Sequence, residues 1–246
     1  MSLLQVSGLS KRFGGVQAVR DVAFGVDPGE ILGLIGPNGA GKTTVFNLVT
    51  GFISPDAGDV VLDGRPIGRW GPERRADAGL VRTFQIVKPF GNISVLDNVT
   101  IGAMLRERTM AGARAHALGV LGRVGLADRA ETTARTLPIG LRKKLEVAKA
   151  LAAGPRVLLL DEIMGGLIPS EVGETIELLK ALRSDGIATV LIEHNMHAIM
   201  TASDRIVVLH HGQFIAEGTP ERIARDPQVL SAYLGEGYGR AQDRPA

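Results

Sequence analysis

The chain has 246 residues, a formal net charge of +2 and no cysteine. That length suits one sizeable α/β domain with room for an inserted subdomain, and a near-neutral charge without an arm of like charges argues against nucleic acid as a partner. Disulfides and thiolate metal sites are excluded, the opening MSLLQVSGLSKRFGG is not patterned like a secretory leader, and no run of about 18 apolar residues occurs, so a membrane role would pass through a partner.

From Leu4 to Phe24 the apolar residues alternate loosely, which predicts short antiparallel strands with Phe13 in the turn between them. Phe13 is either an ordinary half-buried side chain or an aromatic that folds back onto a base. Glu30 to Ile35 reads as a buried strand, and Lys42 to Val49 as a helix stopped by Gly51. Between them lies GPNGAGKTT, with Gly36, Gly41, Lys42 and Thr43 at the phosphate-loop spacing. Consecutive amides of Gly36, Pro37, Asn38, Gly39, Ala40 and Gly41, apart from the proline, opening onto a helix N-terminus, suit phosphate oxygens. Lys42 would reach the outer phosphates, Thr44 follows in the first turn, and the Thr43 hydroxyl would sit on Mg²⁺.

Ser54 to Gly58 is a turn, Asp59 to Leu62 a strand, and Asp63-Gly64 a second turn. Gly79 to Gln85 reads as a strand ending in a polar residue, and Gln85 is either a surface amide or a ligand to a metal-bound water. Ser94 starts a helix running to about Leu105. Arg106 to Arg135 reads as short helices forming a lobe inserted between the halves of the sheet. The basic clusters Arg74-Arg75 and Arg142-Lys143-Lys144 read as solvated faces.

Leu137-Pro138-Ile139-Gly140-Leu141 leads into a helix with apolar positions at Leu141, Leu145, Ala148 and Leu151 or Ala152, with Pro138 in its first turn and the amides of Ile139 and Gly140 open to an anion. Val157 to Leu160 is the continuous apolar run of a central parallel strand, ending in Asp161 and Glu162 at the edge where open α/β sheets bind ligands. Asp161 would hold Mg²⁺ through water, and Glu162 would orient or deprotonate an attacking water. Ser170 to Arg183 is an amphipathic helix. Ala188 to Ile192 is another buried strand, which brings His194 to the same edge. Thr219-Pro220 and Asp226-Pro227 each cap a short helix, and Glu236 to Ala246 is a frayed tail.

In this order, GPNGAGKTT, Gln85, the motif from Leu137 to Leu141, Leu158 to Glu162 and His194 resemble the ATP-binding cassette (ABC) subunits of membrane transporters, over essentially the whole chain. The strings RTFQ, LDEIMGGL and AYLGEG are most similar to subunits of bacterial branched-chain amino acid importers, with carriers of urea, amides or other small solutes as related alternatives. The resemblance implies a P-loop NTPase fold: a central mostly parallel sheet, an N-terminal antiparallel β subdomain and an inserted α-helical subdomain. The core would take approximately 1–85 and 156–235, the helical part 86–155 and the tail 236–246.

It further implies that Phe13 stacks on adenine and that Gln85 touches Mg²⁺ or the lytic water. Two cassettes, alike or different, would pair head to tail around two ATP, each site closed by the other subunit's Leu137–Leu141 motif. The pair would drive separate transmembrane permease subunits, fed by a solute-binding protein, from the cytoplasmic face of the bacterial inner membrane. Two positions depart from the family: Pro138 stands where a serine is usual, and Ile168 where an aspartate or asparagine is usual. Soluble cassette ATPases of DNA repair or translation generally have twin cassettes or a long coiled-coil arm, which the short stretch between Lys42 and Asp161 cannot hold. A non-hydrolysing regulator would be expected to lack Glu162.

Overall fold

The computed structural model describes residues 2–85 and 88–234. Leu4–Phe13 (β1) and Val16–Val26 (β2) pair antiparallel, and Ala57–Leu62 (β4) and Arg65–Pro66 (β5) extend the sheet in the order β2-β1-β4-β5. One face of it is apolar: Leu4 and Val6 are buried at the period of two expected of a strand wetted on one side, and an irregularity in the pairing after Val6 shifts the next buried position to Leu9. A second sheet contains Ile31–Ile35 (β3), Leu80–Arg82 (β6), Val157–Asp161 (β7), Ala188–Ile192 (β8), Arg205–His210 (β9) and Gln213–Gly218 (β10). Its order is β10-β9-β3-β8-β7-β6, parallel throughout except for β10 at one edge.

Every residue of β3, β7 and β8 is buried, because this sheet is covered on both faces. Alternate side chains serve different layers. Leu32, Leu34, Leu159 and Val207 pack under the antiparallel sheet together with Val45, Phe46 and Leu48 of Lys42–Val49 (α1). Ile31, Ile35, Leu158, Leu160 and Val208 pack on the other face, against helices. Those helices include Val95–Ala103 (α3), Met110–Arg123 (α4), Ile139–Ala152 (α5), Pro169–Ser184 (α6) and Met196–Ala202 (α7). Pro72–Asp77 (α2), Pro220–Ile223 (α8) and Pro227–Leu234 (α9) are shorter or lie at the end of the chain.

Several expectations are corrected. The segment from Gly79 to Gln85 is not a strand throughout: only Leu80–Arg82 pair with β7. The Thr83 hydroxyl takes the amide of Asp161 at 3.2 Å, so a side chain fills the ladder position and the backbone turns away. Arg106 to Arg135 does hold short helices, as expected: α4, capped by the Thr109 hydroxyl, and single helical turns at Ala127–Arg129 and Ala134–Thr136. Glycines weaken α4, but Ala113, Ala117, Val120 and Leu121 bury one stripe. Pro138 is the cap of α5 rather than a first-turn residue.

The basic clusters are not simply solvated. Arg75 is 1% exposed, and its guanidinium donates to Leu48 O, Val49 O, Gly68 O and Trp70 O, closing carbonyls at the end of α1. Arg142 bonds Leu137 O, Lys144 bonds Glu174, and Lys143 reaches the loop after β7. The tail from Glu236 and the last residues of the string AYLGEG lie outside the described residues.

Candidate nucleotide site

The loop from Gly36 to Gly41 leaves the carboxyl end of β3 and opens into α1. It can close this tightly because Gly36 backs directly onto Leu209 O, where a Cβ would collide. Gly41 has φ 98, and a Cβ there would lie 2.6 Å from Ala18 O. Among the described residues no side chain caps α1, so its first amides are left for an anion at the positive end of the helix. Lys42 is 7% exposed and folds back, its Nζ donating to Gly36 O at 2.6 Å and Pro37 O at 3.1 Å. Burial pushes its ammonium pKa down, against the pull of Glu162 and Asp161.

These residues face a cavity of about 600 Å³. Its wall runs from Asn38 to Thr44 and is completed by Val16, Gln17 and Ala18 of β2, by His211, and by Gln85, Glu162 and His194. The three last residues, far apart in sequence, form one constellation. Glu162 Oε1 is 2.6 Å from His194 Nε2, and Glu162 Oε2 accepts from Gln85 Nε2 at 2.8 Å. Parallel pairing of β7 with β8 places Asp161 beside Ile192, which puts Glu162 and His194 at the same edge. Asn195 caps α7 by accepting the Ala198 amide, so the chain turns directly after His194.

Asp161 lies behind this wall, 2% exposed. Its Oδ2 pairs with Arg82 Nη2 at 3.2 Å, and burial raises its carboxyl pKa while Arg82 opposes the rise. Arg82 also donates to Asn47 Oδ1 of α1 at 2.6 Å and lies under the Phe84 ring at 4.7 Å. Arg82 thus ties β7 to the phosphate-loop helix. In the sequence Arg82 stands out only within the string RTFQ; its position directly after the apolar strand residues Leu80 and Val81 is the signal for a buried cation.

The remaining predicted residues lie elsewhere. Phe13 is 46% exposed at the end of β1, with Lys11 Nζ 5.8 Å from its ring centre, and it does not line the cavity; its neighbours Val16 to Ala18 do. Leu137 to Leu141 stand away from the cavity at the start of α5, with Ile139 56% exposed and Leu137 buried. Gly140 backs onto the Glu171 carboxylate so closely that a Cβ would collide with it. Ile168 is 60% exposed at the start of α6.

The donor set suits Mg²⁺. One buried carboxylate, a threonine hydroxyl and an amide oxygen, with phosphates and water to complete the shell, is the oxygen chemistry that this hard cation takes.

Residues 19–165 match the family model described as ABC transporter, and residues 215–239 match the one described as Branched-chain amino acid ATP-binding cassette transporter. The chain is 41% identical over 250 residues to the high-affinity branched-chain amino acid transport ATP-binding protein BraF of Pseudomonas aeruginosa, covering 95% of this chain and 98% of the relative. It is 40% identical, with the same coverage, to the corresponding protein LivG of Escherichia coli. Among solved structures, the ADP conformation of MJ1267, an ATP-binding cassette of an ABC transporter, superposes with a TM-score of 0.87 at 28% identity, covering 96% of this chain and 99% of that one. A strand-to-helix phosphate loop facing a carboxylate, a glutamine and a histidine, in a chain that matches these relatives along nearly its whole length, belongs to the ATP-binding cassette family of transport ATPases.

Proposed function

We propose that the chain is the ATP-hydrolysing subunit of a bacterial importer for branched-chain amino acids. The observation that carries the reading is Glu162 at the mouth of the phosphate-loop cavity, with both carboxylate oxygens engaged by His194 and Gln85. The choice of solute is supported by BraF and LivG and by the match of residues 215–239. Importers of urea, amides or other small solutes are the alternative.

The phosphate-loop amides and the end of α1 bind the triphosphate, and Lys42 gives up its contacts with Gly36 O and Pro37 O to neutralise the outer phosphates. Thr43, Gln85 and Asp161 would hold Mg²⁺, which when bound neutralises charge on the phosphate oxygens. Glu162 orients the attacking water and takes its proton, while His194 and Gln85 keep the carboxylate from rotating. Phe13, exposed at the tip of the β1–β2 hairpin, stacks on the adenine.

The motif from Leu137 to Leu141 serves the nucleotide of a second cassette, which accounts for its position away from the cavity of its own chain and for the exposure of Ile139. Residues 86–155 act as the helical part that meets a permease subunit. Exposed Phe52 and Phe84, in edge contact at 5.5 Å beside Gln85, supply apolar surface for that contact. Among the described residues no helix is long and apolar enough to cross a membrane. The resemblance to BraF and LivG supports a peripheral subunit on the cytoplasmic face of the membrane.

The test is co-expression with the permease genes and reconstitution in vesicles. Uptake of leucine, isoleucine or valine that requires Mg·ATP and is abolished by Lys42→Ala is the expected result. Uptake of urea or an amide instead would replace the solute assignment, and no hydrolysis by the reconstituted wild-type complex would overturn the reading.

A further inference from the structure

Glu162 has φ 52, the left-handed region that a residue with a side chain occupies only when its surroundings hold it there. Two neighbours hold its peptide groups. Its amide donates to Ile192 O at 2.9 Å, and its carbonyl accepts from Lys143 Nζ at 2.9 Å. Lys143 comes from α5, one turn beyond Ile139 and Gly140, and also donates to Gly165 O. Within the same loop, the Met164 amide donates to Glu193 Oε1 at 2.6 Å. Glu193 is 3% exposed, immediately precedes His194, and its Oε2 has no hydrogen-bond partner among the described residues. Opposite charges on α5 and at the end of β8 therefore grip one short loop.

We propose that Lys143 and Glu193 are positioning residues for hydrolysis, which clamp the segment from Glu162 to Gly165 so that the start of α5 and the water-activating carboxylate move as one body. This rests on the reading above, in which the start of α5 meets the nucleotide of the second cassette. On that basis, arrival of nucleotide at the Leu137–Leu141 motif is transmitted through one lysine to the subunit's own Glu162. A long apolar stem carries the Lys143 charge into the loop, so methionine keeps the stem and removes only the donor.

The experiment has two arms. In the purified full chain without nucleotide, hydrogen exchange at amides 162–167 should rise about tenfold in Lys143→Met and in Glu193→Ala, the effect of losing one hydrogen bond, with α1 unchanged. Glu193→Gln, which keeps an acceptor for Met164, should stay near wild type, and Lys143→Arg should restore protection. In the reconstituted complex, Lys143→Met should lower kcat about tenfold with KM for Mg·ATP within about twofold, and Lys143→Arg should recover most of it. Unchanged exchange in both loss-of-contact variants overturns the clamp, as does wild-type kcat in Lys143→Met. The exchange arm needs no hydrolysis, so a failure of the functional reading is distinguishable from a failure of the clamp.

Discussion

Glu162→Gln isolates the chemical step from binding. The two oxygens of Glu162 have different partners, His194 Nε2 at 2.6 Å and Gln85 Nε2 at 2.8 Å. A glutamine can keep its carbonyl toward Gln85, which only donates there, and turn its amino group toward His194, whose ring nitrogen accepts in one neutral tautomer. Geometry and nucleotide affinity are therefore retained. What is lost is the proton acceptor, and general-base catalysis is worth roughly 10²–10⁴-fold, or about 2.7–5.5 kcal/mol of barrier. The assay pairs calorimetric titration of ATP with phosphate release by the reconstituted complex. The expected outcome is a Kd within about twofold of wild type and turnover lower by the stated factor. Turnover close to wild type would refute Glu162 as the base, and a comparable loss of affinity would show that its charge serves binding.

Three further perturbations probe other parts of the site. Arg82→Met leaves Asp161, 2% exposed, without its cation, and breaking a buried pair from one side costs about 3–5 kcal/mol, read as a fall in the denaturation midpoint; an unchanged midpoint would mean that Asp161 finds another partner. Pro138→Ser restores a hydroxyl and an amide where the second cassette's phosphate is expected, so nucleotide-dependent pairing should strengthen by about 1.5–3 kcal/mol in sedimentation experiments with Mg·ATP, whereas a large loss of turnover would show that the proline is required. Burial raises the Glu193 carboxyl pKa above its ordinary 4.5, so the stability it contributes is present below that value and is lost as pH rises through the folded-state pKa. Glu193→Gln should therefore match wild type in acid and exceed it in denaturant resistance toward neutral pH; identical curves at both pH values would contradict this.

Much of the molecule is legible in its residues because the signals are local. A glycine-rich loop between an apolar run and a helix, apolar runs ending in Asp161-Glu162 and Glu193-His194, and caps at Ser94 and Asp226 each report a backbone requirement that neighbouring residues meet by themselves. Those signals determined the phosphate loop, the strands that carry the acidic and histidine edge, and the resemblance of the motif at Leu137 to its family. Tertiary structure alone decided what lies between these segments. Whether Arg75 and Lys143 meet water or carbonyl oxygens depends on the end of α1 and on the loop after β7, which are distant in sequence, and charge composition is the same either way. Likewise the shortening of β6 follows from the Thr83 hydroxyl reaching Asp161 on the neighbouring strand. Glu162, Gln85 and His194 become one site only because parallel pairing aligns the ends of β6, β7 and β8 at a single edge, a long-range register that no short stretch of the chain encodes.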